Sequence, residues 1–85
     1  MSKLPRAEAK GLRYTAHAKQ RMAERCLSER IVSHAVAWGV ESYQDDEGQV
    51  RKYELQMSGS GYNYSLFVVL DTLTVVTAYL RVHNS

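Results

Sequence analysis

The sequence has little of several things: one cysteine, one proline, one tryptophan and one phenylalanine in 85 residues. With Cys26 alone, no internal disulfide can form, and nothing points to an oxidising compartment. No stretch approaches the roughly 20 apolar residues of a membrane span. The first ten residues (MSKLPRAEAK) lack the apolar middle of a secretory signal, so the expected location is the cytoplasm. There is no glycine-rich phosphate loop, serine elbow or metalloprotease signature. Three histidines and one cysteine, at 17, 34, 83 and 26, have no zinc-ligand spacing, so neither a metal nor a cofactor is expected.

What is present is ordinary globular composition, 45% hydrophobic and 24% charged, which supports a folded chain rather than a disordered one. Its length allows one domain with a thin core. Net charge is only +2, but it is unevenly spread. Eight of the eleven cationic residues fall in the first thirty, against Glu8, Glu24 and Glu29, while Glu41, Asp45, Asp46 and Glu47 make the middle acidic. That asymmetry can draw a polyanion to the helical end, and it equally fits a solvated surface.

Residues 1–11 read as a flexible lead-in, and 12–85 as a single α+β domain. Leu12 to Tyr14 read as a short strand or an extended lead. Thr15 is placed to cap a helix over 16–26. Ala18, Met22 and Cys26 then share one apolar stripe, with Cys26 read as a small buried hydrophobe. Ser28 caps a second helix running to Trp38, with Ile31, Val32, Ala35, Val36 and Trp38 on its buried face and Gly39 as a left-handed cap. Beyond Gly39 the pattern alternates. Strands are expected over 40–44, 49–57, 62–71 and 75–82, joined by turns at Asp45–Gly48, Ser58–Gly61 and Asp71–Thr74. The expected fold is α+β, with two N-terminal helices packed on one face of a three- or four-stranded antiparallel sheet.

Two groups of residues can carry chemistry. In the last strand Val76, Ala78, Leu80 and Val82 suit the helix-covered face. Val75, Thr77, Tyr79, Arg81 and His83 then share the other face. With Asn63, Ser65, Phe67 and Val69 of the neighbouring strand, these make a mixed apolar and polar surface that suits a ligand, or a plain solvated sheet face. On the first helix His17, Arg21 and Arg25 fall at i, i+4, i+8. Arginine forks match phosphate oxygens, and a histidine can give or take a proton near neutral pH. The set suits a phosphodiester, and it also fits a solvated cationic face.

Tyr14-Thr15-Ala16-His17-Ala18-x-x-Arg21-Met22-x-x-Arg25, followed by Leu27-Ser28, resembles the opening of a small bacterial family catalogued as domain of unknown function 4258. Leu66-Phe67-Val68-Val69 and Val75-Val76-Thr77-Ala78-Tyr79 resemble its ending. The chain departs from that pattern at Cys26, where glycine is usual, and at Leu27, where isoleucine is usual. The family is similar in layout to RelE- and ParE-type toxins. The resemblance implies a RelE-like ribonuclease toxin or an inactive relative. It carries over His17, Arg21 and Arg25 as candidates, and Thr77 and Tyr79 after them. Together with the strand-face reading this gives His17, Arg21, Arg25 and Tyr79 as catalytic candidates, and Arg81, Thr77, His83 and Phe67 as RNA- or phosphate-binding ones.

Two functions follow. One is an endoribonuclease toxin that acts without metal and is paired with an antitoxin: a base takes the 2′-hydroxyl proton, an acid protonates the leaving 5′-oxygen, and cations hold the phosphate. The other is a non-catalytic accessory module that binds protein or nucleic acid through its sheet face or edge, without turnover. Neither involves a membrane.

Overall fold

The computed structural model describes residues 11–59 and 61–83. Apart from Gly11, the expected lead-in lies outside them, as does Ser60 in the second turn. Strand β1 (Arg13–Tyr14) is followed by helices α1 (Ala16–Glu24) and α2 (Glu29–Trp38). Strands β2 (Val40–Gln44), β3 (Val50–Gly59), β4 (Tyr62–Asp71) and β5 (Thr74–His83) complete the domain. Among the described residues no helix is long and apolar enough to cross a membrane.

Thr15 caps α1 as expected, its side chain accepting the Ala18 N–H at 3.0 Å. The helix ends earlier than its apolar spacing suggests. Cys26 takes a left-handed backbone, φ 56°, and is exposed rather than buried on the stripe. Leu27 N–H bonds the Met22 carbonyl at 2.8 Å, and Cys26 N–H reaches Ala23 at 3.3 Å. This doubled closure is the Schellman arrangement, in which glycine usually fills the left-handed position. Leu27 and Met22 both join the core and add the apolar contact that goes with it.

Ser28 caps α2 by accepting the Ile31 N–H at 3.2 Å, and Glu29 sits in the first turn against the helix dipole. Val32, Ala35 and Val36 are buried, but Trp38 is 49% exposed. At about 100° per residue, Trp38 falls well to the side of the Val32–Ala35–Val36 stripe. Gly39 is extended, not left-handed (φ −74°, ψ 179°). The reason for glycine is contact: a Cβ there would strike the backbone oxygens of Ala35 and Glu54, the latter at 2.6 Å.

The sheet has five strands in the order β1-β5-β4-β3-β2, so it is larger than expected and not wholly antiparallel. β1 lies parallel to β5, held by Arg13 N–H to Leu73 O at 2.9 Å and Thr15 N–H to Val75 O at 3.1 Å. A two-residue strand has no alternation to read, so its pairing is invisible in the sequence. The β2–β3, β3–β4 and β4–β5 pairs are antiparallel. Asp45 Oδ1 accepts the Gln49 and Val50 N–H groups and closes the first turn, with Gly48 at φ 71°.

The second difference lies inside β5. Leu70 pairs with Val75 but Val69 pairs with Thr77, so Val76 is an extra residue, a bulge. The bulge changes the phase of the strand. Val75, expected on the open face, is buried in the core with Ala78. Thr77, Tyr79, Arg81 and His83 keep the open face.

The helices cover one side of the sheet. There Ala18, Met22, Val32, Ala35 and Val36 meet Tyr53, Leu66, Val68, Leu70, Val75 and Ala78. Tyr53 lies deep in this layer with Glu41 and Arg51 beside it. Glu41 Oε1, Arg51 Nε and Tyr53 Oη are all buried atoms. Burial pushes the Tyr53 phenol up; the Arg51 charge opposes the shift and the Glu41 charge adds to it.

Candidate functional site

The eight residues singled out from the sequence do not form one site. α1 packs its Ala18–Met22 stripe on the inner face of β5. His17, Arg21 and Arg25 therefore belong to the helical layer. Phe67, Thr77, Tyr79, Arg81 and His83 lie across the sheet on its open face, because they alternate with the core residues of β4 and β5.

The helical stripe is also less cationic than its spacing suggests. Arg21 Nη1 bonds Glu24 Oε1 at 2.9 Å, and Arg25 Nη1 stands 3.9 Å from the same oxygen. Arg25 also donates to the Arg21 carbonyl at 3.4 Å. The Arg21 hydrogen bond holds the Glu24 carboxyl below the usual range. Glu24 follows Arg21 by three residues and precedes Arg25 by one, so its place in the stripe is legible in the sequence. His17 is exposed beside this pair.

The open face is organised by register. Phe67 and Tyr79 are directly opposite on β4 and β5. Their rings stack with centroids 5.1 Å apart and planes 18° apart. Lys52, on β3, brings its Nζ to 5.4 Å from the Phe67 ring centroid and 3.5 Å from the Tyr79 hydroxyl. The ammonium thus has a fixed seat on an aromatic floor.

Next to it, Ser65 is fully buried and joins two titratable side chains. Its hydroxyl donates to Glu54 Oε2 at 2.6 Å and lies 2.6 Å from His83 Nε2. A hydroxyl has one proton and a carboxylate only accepts, so His83 Nε2 donates to Ser65 Oγ. A carboxylate that accepts a hydroxyl proton can activate a serine, but Ser65 is fully buried and does not present its oxygen to a substrate. It sets the positions of Glu54 and His83. Arg81 is opposite Ser65 across the β4–β5 pair, and Thr77 lies further along, opposite Val69.

A hollow of about 450 Å³ lies at this end of the sheet, lined by Gln56, Met57, Ser58, Asn63, Tyr64 and His83. No group of three or more His, Cys, Asp or Glu suited to a metal gathers among the described residues. Ser65 stands on the open face as its alternation places it, while Lys52 and Glu54 are the residues that motif reading passes over. Their signal is plain alternation: each sits on the outward phase of its strand.

The face presents two cations, Lys52 and Arg81, a stacked aromatic pair, and an imidazole joined to a carboxylate through Ser65. Fold and site together define a small α+β domain with a covered sheet face and an open, charged and aromatic one. The chain belongs to the family described as Domain of unknown function (DUF4258), whose model matches residues 14–80. No curated protein and no solved structure matches it.

Proposed function

We propose that the protein binds single-stranded RNA on the open face of its sheet and cuts it there. The observation that carries this reading is the Glu54–Ser65–His83 bridge beside Lys52 and Arg81 on one face. Transesterification of RNA needs this combination. The Glu54 carboxylate takes the 2′-hydroxyl proton, and the 2′-oxygen attacks the adjacent phosphorus. The bond from phosphorus to the 5′-oxygen breaks as protonated His83 gives that oxygen a proton. The products are a 2′,3′-cyclic phosphate and a free 5′-hydroxyl. Lys52 and Arg81 stabilise the charge that builds on the phosphate. Tyr79 offers a π surface next to them for a base. On this reading the helical stripe, His17, Arg21 and Arg25, plays at most an electrostatic part in attracting the polyanion, and an antitoxin is the expected protein partner.

The test uses the purified full chain and a single-stranded RNA. His83→Ala lowers cleavage by about two to four orders of magnitude while binding persists. Lys52→Ala and Arg81→Ala each weaken binding and flatten its log–log salt dependence by roughly 0.7. Ser65→Ala keeps both proton carriers but frees them, so the pH–rate profile shifts as well as the rate. Undiminished cleavage by His83→Ala removes the mechanism. A folded protein that fails to bind RNA at low salt removes the whole reading.

A second reading is a protein-binding module without turnover. One observation favours it. Beyond the reach of the helices the covered side of the sheet exposes Tyr62 (64%), Leu80 (39%) and Val82 (56%) around a hollow of about 270 Å³. Growth arrest on induced expression, absent in His83→Ala at equal protein level, favours the nuclease. No arrest from folded protein favours the module.

A further inference from the structure

Among the described residues most of the outer edge of β5 is open. β1 covers only its first two residues, Thr74 and Val75. After the bulge at Val76, no strand among the described residues pairs with the outer side of Thr77–His83. Exposed edges are commonly blunted by bulges or inward charges. The β2 edge has a bulge between Glu41 and Tyr43. The β5 edge runs unbroken for seven residues, with Leu80 and Val82 exposed along it.

The backbone direction of that edge is known. Val75 turns its carbonyl outward, to Thr15 N–H. In a strand of L-residues, side chains on one face go with backbone groups on one side. Ala78, Leu80 and Val82 share the face of Val75, so their N–H and C=O groups point to the free edge.

We propose that a second copy of this chain occupies the edge, β5 against β5 in antiparallel fashion about a two-fold axis through Leu80. In that register Leu80 faces Leu80, Ala78 faces Val82, Tyr79 faces Arg81, and Thr77 faces His83. The Leu80–Leu80 and Ala78–Val82 pairs are the hydrogen-bonded ones, which matches the direction of the free groups. The apolar pairs join on the covered side, continuous with the Tyr62–Val82 surface. On the open side each Arg81 guanidinium lies against an aromatic ring instead of a like charge. Neighbouring registers fail. A two-residue shift one way sets Arg81 against Arg81. A two-residue shift the other way sets Tyr79 against Tyr79 and shortens the ladder to Thr77–Arg81, because its next pairs would need the bulge at Val76 and Val75, already bonded by β1. A one-residue shift turns the two helical layers to opposite faces. Charge and backbone together thus select a self-pairing, isologous contact. It brings the partner's Tyr79 to Arg81 and the partner's Thr77 to His83, so each candidate site is bordered by both copies. The proposal does not rest on RNA cleavage.

The test is the mass of the full chain in solution, followed by cross-linking. Sedimentation equilibrium gives a dimer, and Leu80→Lys, which sets two ammonium groups face to face, gives a monomer with unchanged circular dichroism. In a Cys26→Ser background, Leu80→Cys forms an intermolecular disulfide on mild oxidation. A hydrogen-bonded antiparallel pair has Cα atoms about 5.5 Å apart, inside the disulfide range. Val82→Cys does not cross-link, because its copy lies roughly 13 Å away along the strand. A monomeric parent at about 100 µM overturns the proposal. So does equal cross-linking through Val82→Cys, or a dimer that survives Leu80→Lys. If Leu80→Lys fails to fold, the contrast between the two cysteine variants decides.

Discussion

Replacing Cys26 by glycine should stabilise the protein, and the size of the gain can be worked from the backbone. Cys26 sits at φ 56°, where an L-residue brings its Cβ against the following carbonyl. That conformation costs roughly 1–2 kcal/mol relative to glycine. Glycine in turn gives the unfolded chain more freedom, which takes back roughly 0.4–1 kcal/mol. The balance spans about 0–1.6 kcal/mol, centred on a gain of about 0.8 kcal/mol. For a domain of this size that central gain raises the melting temperature by roughly 3–6 °C. The two closing hydrogen bonds, from Leu27 and Cys26, are backbone ones and survive the change. The side chain is exposed, so little packing is lost. Calorimetry or urea unfolding measures the effect, with an unchanged denaturant slope showing that the unfolded state is comparable. Cys26→Ala is the control. It removes the thiol but keeps the strained conformation, so it should shift stability by less than about 0.5 kcal/mol. If glycine and alanine behave alike, the strain argument is wrong, and the left-handed position carries no cost in this turn.

Gly39→Ala should lose about 1–3 kcal/mol, because the added methyl meets two backbone oxygens that cannot swing aside; chemical denaturation measures it. The raised phenol of Tyr53 gives a pH prediction. Its folded value lies above its unfolded one, so stability is fully present below about pH 10 and falls as pH rises through the folded value. Tyr53→Phe should weaken that alkaline fall, because the fall comes from ionising the buried phenol. An alkaline melting series that is identical for the two proteins contradicts this.

Much of the fold was legible because its signals are local. Thr15 and Ser28 cap helices in the sequence as they do in space, and the alternation from Val40 onward gives the strands and hairpin turns. The differences all come from contacts that no local pattern encodes. β1 is too short to show a period. Trp38 is placed by which side of α2 meets the sheet. Gly39 is explained by the approach of Glu54 in β3, and Cys26 by the left-handed turn that closes α1. The candidate site divides in the same way. The outward phases of β4 and β5 contained Phe67, Tyr79, Arg81 and His83. Joining the helical stripe to them requires knowing which side of the sheet the helices cover, and finding Lys52 and Glu54 requires the β3 register.

The extra residue at Val76 makes β5 two half-strands spliced out of step. Before it, Val75 serves the core; after it, the odd-numbered positions serve the surface. Loss of that residue would make Val75 and Thr77 direct neighbours opposite Leu70 and Val69, which is the step of a regular ladder, so every other side chain would keep its face. Loss of a residue just after Thr77 would instead turn Tyr79 and Arg81 under the helices. The strand can therefore shorten at Val76 without exchanging its faces, and nowhere in the half that follows.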